Sequence, residues 1–254
     1  MMSLANKTAA VFCSTGELSQ AAAAGLQRAG ATVCLAARRA EPNTGIHSVD
    51  VLEEAQIESF LRAIRSEHGS LDVIFNGVGP SANAAGSGLP STQLSTEQFY
   101  QTLQTIVGGQ WLTARVAARL WQEWGDSGTI VLLTSSLSRL KSPNMTSISV
   151  ASAAVEGLCR TLAAEYGRYG IRVVCVNGTA FTETETIRET ARLQSEAAGI
   201  PLEAMLEAMG QGYTLGRGPE LNEFGDLVAF LASSKGAILN SHIIDADRGS
   251  LHVI

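Results

Sequence analysis

Residues 128–170 constrain the fold of this chain more than any other segment. A short apolar run from Ile130 to Leu133 lies between Gly128 and the polar residues that begin at Thr134, a pattern typical of a buried strand. Downstream, apolar or small residues recur every three or four positions, which predicts a long helix with one buried face. Those positions are Ile148, Ala151, Val155, Leu158, Cys159, Leu162 and Ala163. The segment therefore predicts a buried strand that leads into a helix.

The amino-terminal part of the chain, residues 8–39, shows the same alternation. A strand TAAVFC runs through the turn STGELSQ into the helix AAAAGLQRAG, and a second strand, ATVCLAA, follows. Strand, turn, helix and strand in this order open a dinucleotide-binding fold. Because 254 residues suit one large α/β domain, and no repeat or linker divides them, we predict a single Rossmann-like domain, 1–254, with a doubly wound parallel sheet.

Composition and charge exclude several classes of function. The net charge of −6 and the pI of about 5.3 leave no basic surface for a nucleic acid. No apolar run is long enough to span a membrane, and no signal peptide precedes the first strand. The four cysteines are isolated and lack metal-ligand spacing, and the four histidines are scattered. We therefore expect free thiols, a cytoplasmic location and no metal site.

Three stretches carry a family resemblance: IVLLTSS, then ASAAVEGL, then LAAEYGRYGIRV. In this order and without a gap, they resemble the short-chain dehydrogenase/reductase (SDR) family. The resemblance covers essentially the whole chain and implies one SDR-type domain with a parallel sheet of about seven strands. It also places Ser135 at the position of the family's substrate-positioning serine.

The family's other catalytic positions hold residues that lack the required chemistry. The register puts Ile148 at the position of the catalytic tyrosine and Ser152 at that of its lysine. In the family, the lysine lowers the pKa of the tyrosine hydroxyl, which exchanges a proton with an alcohol or ketone while hydride moves to or from nicotinamide. Ile106 replaces the asparagine of the family's N-x-x-G motif. The resemblance therefore implies that only Ser135 of the catalytic tetrad survives.

The turn after the first strand also departs from the family. Where the family has T-G-x-x-x-G-x-G, the register places Cys13, Glu17 and Ser19 at the three glycine positions, and Gly16 falls between them. Side chains at these positions obstruct a pyrophosphate, and a carboxylate opposes its charge. Two interpretations of Glu17 stay open: an internal anion at the helix N-terminus, or an exposed glutamate that stabilises its own helix.

Parts of an adenosine site remain. Arg38 and Arg39 follow the second strand, where an intact relative would bind the 2′-phosphate of NADP; the alternative is two solvated arginines. Asp50 matches the family's adenine-contacting aspartate, but with Glu53 it also predicts a helix capping box. The strand LDVIFNGVG is similar to the family's LDVLVNNAG. The remnants of dinucleotide binding are Arg38, Asp50, Val51, Asn76 and Gly79. We expect no functional cofactor site in this chain.

Three further segments give structural expectations. The stretch PSANAAGSGLPST predicts a mobile, exposed loop. Residues 95–121 predict one helix that opens with the capping pair Ser95 and Gln98 and has a single apolar face. The apolar positions on that face are Phe99, Leu103, Ile106, Val107 and Trp111. Residues 182–212 stand in place of the family's substrate lid and predict helical structure.

The resemblance, together with these losses, predicts a non-catalytic subunit that pairs with an active SDR subunit in an NAD(P)-dependent alcohol or hydroxyacyl-CoA dehydrogenase. The helices 95–121 and 148–169, which in relatives build a four-helix contact between subunits, would form a heterotetramer. NAD or NADP would be bound by the active partner. Two alternatives stay open: a cofactor-independent lyase or isomerase on this scaffold, and an atypical NAD(P)-dependent oxidoreductase that uses Tyr213.

Overall fold

The computed structural model describes residues 3–178 and 181–250. Its seven strands form one sheet in the order β3-β2-β1-β4-β5-β6-β7, and every neighbouring pair is parallel. The strands are β1 Thr8–Phe12, β2 Thr32–Ala37, β3 Ile46–Ser48, β4 Val73–Asn76, β5 Thr129–Ser135, β6 Arg172–Gly178 and β7 Ile243–Ala246. This order reverses direction between β1 and β4, as in a doubly wound Rossmann-like fold. The predicted fold class is confirmed.

Helices cover both faces of the sheet and give two separate apolar cores. They are α1 Glu17–Arg28, α2 Glu54–His68, α3 Thr96–Leu103, α4 Gly109–Trp124, α5 Thr146–Tyr166, α6 Glu185–Ala198, α7 Leu202–Gly210 and α8 Leu221–Ala232. On one face α2, α4 and α5 bury their apolar sides, and on the other α1 and α8 do so. Among the described residues, no helix has the length and apolarity needed to cross a membrane.

The segment 128–170 folds as predicted. Strand β5 lies between β4 and β6 in the sheet, and its residues Ile130, Val131 and Leu132 are buried. Helix α5 buries the side that faces the sheet. The buried residues on that side include Ala151 and Val155 and, further along, Cys159, Leu162 and Ala163. Its first turn therefore lies beside the carboxyl end of β5 and brings residues of the helix to Ser135.

The predicted helix 95–121 is divided in two. The capping box at Ser95 and Gln98 is present at the start of α3, but a π-helical turn, Gln104–Gly108, separates α3 from α4. A π-helical turn holds more residues than an α-helical turn, so it rotates the following face. Trp111, which the sequence places on the buried face, is 42% exposed for this reason, whereas Ile106 is buried.

The capping box predicted at Asp50 and Glu53 is wrong. Helix α2 begins at Glu54, and Glu53 is its N-cap without a side-chain capping bond. The Asp50 carboxylate instead accepts a hydrogen bond from the backbone N–H of Leu52 at 3.0 Å, and the Gln56 side chain accepts one from the N–H of Asp50 at 2.9 Å. Aspartate stabilises this turn before the helix because its side chain replaces a backbone acceptor.

Helices α1 and α8 cross at Gly25 and Gly225, and this contact sets the position of the α1 N-terminus. A Cβ atom on Gly225 would collide with the backbone of Ala21. We expect Gly225→Ala to lower the free energy of unfolding by about 1–3 kcal/mol through overpacking, although alanine is the better helix former. Gly157→Ala in α5, where a Cβ meets no atom within 4 Å, is the matched control and should raise it by about 0.5–1 kcal/mol. Urea unfolding followed by circular dichroism distinguishes them, and equal shifts would contradict the crossing geometry.

Candidate functional site

The four catalytic positions inferred from the sequence lie together at the carboxyl ends of the strands. Ser135 at the end of β5, Ile148 and Ser152 on α5, and Ile106 in the π-helical turn all line one cavity of about 340 Å³. Ligands of open α/β sheets bind at this edge, next to the point where the strand order reverses. The structure therefore brings the four side chains together around one cavity.

The groups in this cavity offer no proton relay of the family's kind. The Ser135 and Ser152 hydroxyl oxygens lie 2.8 Å apart, and the Thr134 hydroxyl donates to the backbone carbonyl of Ser152 at 2.9 Å. Of the described residues that line the cavity, only Cys13 and Glu17 carry titratable side chains. Burial raises the pKa of the Cys13 thiol to about 12, so the thiol stays protonated at neutral pH. Serine hydroxyls alone do not exchange protons efficiently near neutral pH.

The turn between β1 and α1 keeps the backbone of a glycine turn but adds side chains to it. Cys13 has φ of 55°, in the left-handed region that glycine favours. Ser19 is buried, and its Oγ occupies the space that a Cβ atom of Gly77 would need. The sequence aligns Ser19 with a family glycine and Gly77 with a family asparagine. A larger residue on α1 is thus accommodated by a smaller one after β4.

Glu17 makes a contact that neither interpretation from the sequence includes. It is the first residue of α1 and half-buried, and its carboxylate accepts a hydrogen bond from the backbone N–H of Glu185 at 2.8 Å. Glu185 is the first residue of α6, whose N-terminal N–H groups have no partner within the helix. The Glu17 carboxylate therefore serves as an internal anion for the N-terminus of α6 and joins it to the altered turn.

Two further glutamates connect the segment 182–212 to other parts of the chain by hydrogen bonds. Glu189 accepts hydrogen bonds from the N–H groups of Ala82 and Asn83 at 2.9 and 3.3 Å, and Glu183 accepts one from Leu221 at 2.9 Å. The loop PSANAAGSGLPST is exposed only in part, because small residues of this loop pack against α6. The buried residues of the loop are Ala82, Ala85, Gly86 and Ser87. Its small side chains allow close packing and do not indicate freedom of movement.

The remnants of an adenosine site border a second cavity, of about 490 Å³, which shares residues with the first. Arg38 and Asp50 line it, and so do Val51 and Gly79. Arg38 and Arg39 are exposed, and neither forms an ion pair with a described residue, in agreement with solvated arginines. Asn76 lines neither cavity. It is buried, and its amide donates to the Gly109 carbonyl and the Thr113 hydroxyl at 3.1 Å, which joins β4 to α4.

These residues do not fit a dinucleotide along its whole length. The adenosine end has space and two cations, but the turn at the position of the pyrophosphate presents the Cys13 side chain and the Glu17 carboxylate. No lysine, arginine or histidine lies among the described residues that line the smaller cavity. A phosphate there would face an anion without a compensating positive charge.

Two further polar residues, Thr184 in the lining of the smaller cavity and Tyr213 of the oxidoreductase alternative, have structural contacts. Thr184 is the N-cap of α6: its hydroxyl accepts a hydrogen bond from the Ile187 N–H at 3.4 Å and donates one to the Phe181 carbonyl at 2.8 Å. Thr179, which follows β6 in the sequence, lies outside the described residues. Tyr213 is buried, its hydroxyl donates to the Met209 carbonyl at 3.4 Å, and it lines neither cavity. Sequence reasoning missed Gln110, whose buried amide bonds to both the N–H and the carbonyl of Leu133. Nothing in the pattern around a glutamine within a helix signals such a role.

Comparisons with known proteins agree with this architecture. A family model described as enoyl-(acyl carrier protein) reductase matches residues 2–250. The chain is 26% identical to levodione reductase from Leifsonia aquatica over 226 residues. The matched region is 89% of this chain and 80% of that protein. It is 28% identical to (+)-cis,trans-nepetalactol synthase from Nepeta racemosa over 204 residues, which are 80% of this chain and 71% of that protein. The crystal structure of NAD⁺-bound xylitol dehydrogenase superposes with a TM-score of 0.85 at 19% identity, covering 96% and 99% of the two chains.

Proposed function

Because this chain belongs to the short-chain dehydrogenase/reductase family, we propose that it is a non-catalytic member, which pairs with an active SDR subunit in an NAD(P)-dependent alcohol or hydroxyacyl-CoA dehydrogenase. The active subunit binds NAD or NADP, and this chain binds neither. The four cysteines are unpaired, which suits a reducing compartment such as the cytoplasm. The pattern of loss resembles that of the non-catalytic subunit of 2-[hydroxy(phenyl)methyl]succinyl-CoA dehydrogenase.

One observation carries the proposal: the cavity at the catalytic positions has no tyrosine, lysine or histidine among its described lining residues, so the proton relay of the family is missing. Ile148 and Ile106 present only methyl and methylene groups to it, and Ser152 cannot supply the positive charge of a lysine. General acid or base catalysis requires a group within hydrogen-bond reach of the reacting oxygen, with a pKa near the working pH. The described lining residues include no side chain that could take the place of the family's tyrosine and lysine pair.

The outer faces of α3, α4 and α5 support an association with a second subunit. Tyr100 is 63% exposed, and Trp111 and Val150 are each 42% exposed. On α5, Ala153 and Ala154 are exposed beside Val150, so a partner helix can approach closely. Aromatic residues are enriched at protein interfaces, and small residues permit close helix packing. These helices are those through which the resemblance predicts a heterotetramer.

Co-expression of this chain with an intact SDR encoded by a neighbouring gene tests the pairing. Native mass spectrometry should show a heterotetramer, and the substitution Val150→Asp should abolish it without changing the circular dichroism spectrum. Ile200→Asp, at a residue that is also 42% exposed but lies between α6 and α7, is the matched control and should leave assembly intact. A chain that forms only homo-oligomers, or an assembly unaffected by Val150→Asp, would contradict the pairing.

The second candidate is a cofactor-independent lyase or isomerase. The open cavity and the Ser135–Ser152 hydroxyl pair favour it, and one relative is named a synthase. Among the described residues of the lining, only Cys13 and Glu17 are titratable, which counts against it. An atypical oxidoreductase would need Tyr213 as proton donor, and the hydrogen bond of its hydroxyl to the Met209 carbonyl, away from both cavities, counts against that role.

A further inference from the structure

Helix α6 forms one wall of the smaller cavity. Its N-cap Thr184 and the first-turn residues Thr186 and Ile187 belong to the lining. A helix in this place can either move to admit a ligand or stay fixed. The hydrogen bonds and the packing that join α6 to the rest of the chain decide between the two.

Glutamate side chains make the contacts at the start of α6. The Glu17 carboxylate accepts a hydrogen bond at 2.8 Å from the N–H of Glu185, the first residue of α6. The Glu183 carboxylate accepts one at 2.9 Å from the N–H of Leu221, the first residue of α8. In both cases a carboxylate meets the N-terminus of a helix, where N–H groups lack partners within the helix and the dipole favours a negative charge.

Glu189, one turn further along α6, makes a contact of the same kind with both of its carboxylate oxygens. They accept hydrogen bonds from the N–H groups of Ala82 and Asn83 at 2.9 and 3.3 Å. These two residues begin a turn in which the N–H of Ser87 donates to the Ala82 carbonyl at 3.0 Å. Glu189 therefore caps this turn, and hydrogen bonds to an ionised carboxylate are about twice as strong as those between neutral groups.

Close packing holds the second half of α6. Gln194 is 8% exposed, and its amide donates to the carbonyls of Pro143 and Asn144 at 3.4 and 3.3 Å. Gly88 lies against the backbone of α6, because a Cβ atom at Gly88 would come within 2.8 Å of the Leu193 carbonyl oxygen. Helix α6 is thus held along its length by three segments that are distant from one another in the sequence.

We infer that α6 is a fixed wall of the smaller cavity, which Glu17, Glu189 and Gln194 hold in place whether or not a ligand is bound. A wall that closes only on a ligand would consume part of the binding free energy of that ligand. In this chain its own side chains make the closing contacts. The inference goes beyond the proposed pairing and does not depend on it.

Hydrogen–deuterium exchange mass spectrometry of the purified full chain, without any ligand, tests the inference. In the unmodified chain, the amides of residues 188–195 should exchange at rates within about 10-fold of those in the core helix α8. Glu189→Gln keeps one acceptor oxygen but places an NH₂ group against the second N–H. It should speed exchange in residues 188–195 and in the turn that Glu189 caps by about 10-fold or more. Glu196→Gln removes the same charge from an exposed side chain that pairs with Arg192 at 2.7 Å, and as the matched control it should leave the exchange unchanged.

A second pair of variants tests the packing. Gly88→Ala forces the Leu193 backbone away and should speed exchange in residues 188–195 by about 10-fold or more, while the exchange of β5 stays unchanged. Gly45→Ala is the matched control, because Gly45 also has a left-handed backbone, with φ of 72° against 88° at Gly88, but a Cβ atom there meets nothing within 4 Å. It carries the same backbone strain without the collision and should leave α6 exchange unchanged.

Two results would overturn the inference. In the unmodified chain, exchange of residues 188–195 that is more than about 10-fold faster than exchange of α8 would mean that the helix opens freely. Equal exchange in the Glu189→Gln and Glu196→Gln variants would mean that the Glu189 carboxylate does not hold α6. Both results come from the isolated chain, so they are separate from the outcome of the pairing experiment.

Discussion

Restoring the two missing catalytic side chains, with Ile148→Tyr and Ser152→Lys together, is expected to leave the chain without measurable NAD(P)-dependent activity on secondary alcohols or ketones. Proton transfer by a positioned side chain contributes about 10²–10⁴-fold to a rate, but it acts only when a dinucleotide is in place. The double variant still has Glu17 and Cys13 at the pyrophosphate position and Ile106 at the relay position. The proton donor would return without the hydride carrier.

The same variant should also be less stable. Ser152 is 3% exposed, and a lysine there would bring a longer side chain and an ammonium group into a mainly apolar cavity. We expect the free energy of unfolding to fall by about 1–3 kcal/mol. Circular dichroism must show that the variant is folded before its activity is measured. A spectrophotometric assay beside an intact SDR gives the comparison, and turnover by the double variant would overturn our account of the glycine turn.

Replacing Glu17 with glycine is expected to raise the affinity for NAD⁺ by about 10- to 100-fold, because it removes a negative charge from the position of the pyrophosphate. It also removes the acceptor for the N–H of Glu185. Loss of that bond should speed amide hydrogen exchange in the first turn of α6 while the exchange of β5 stays unchanged. Calorimetry measures the first effect and exchange mass spectrometry the second.

Glu185→Gln is the matched control for that experiment. The substitution removes one negative charge from an exposed side chain, and the backbone N–H of residue 185, which bonds to the Glu17 carboxylate at 2.8 Å, stays in place. We expect a small change in NAD⁺ affinity and none in exchange. The prediction is contradicted if Glu17→Gly changes neither the affinity for NAD⁺ nor the amide hydrogen exchange of the first turn of α6. In that case Glu17 neither hinders pyrophosphate binding nor stabilises the start of α6.

The fold could be predicted from the sequence because its signals are local. The apolar run before Ser135 and the spacing from Ile148 to Ala163 each report the burial of one element against the sheet. Ile106 was assigned separately, from the resemblance of residues 106–109 to the family's N-x-x-G motif, and it lines the same cavity as Ser135 and Ile148. Local patterns with short connections leave few other topologies open.

The contacts between distant segments could not be predicted. Glu17 and Glu185 are separated by 168 positions, and Glu189 and Ala82 by 107. A glutamate in a first helical turn has the same sequence signal whether it is solvated or bonds to another helix. The π-helical turn at Gln104–Gly108 likewise has no distinct pattern, so the outward direction of Trp111 was missed. These features depend on packing, which a periodicity does not report.

Calorimetric titration of the purified chain with NAD⁺, NADH, NADP⁺ and NADPH tests the central claim most directly. The account predicts no saturable heat at millimolar dinucleotide, because the Glu17 carboxylate and the Cys13 side chain face the pyrophosphate position. An intact SDR titrated under the same conditions shows that the measurement detects binding. Saturable micromolar binding of any of the four dinucleotides to the unmodified chain would contradict the account and would make this chain a cofactor-binding member of the family.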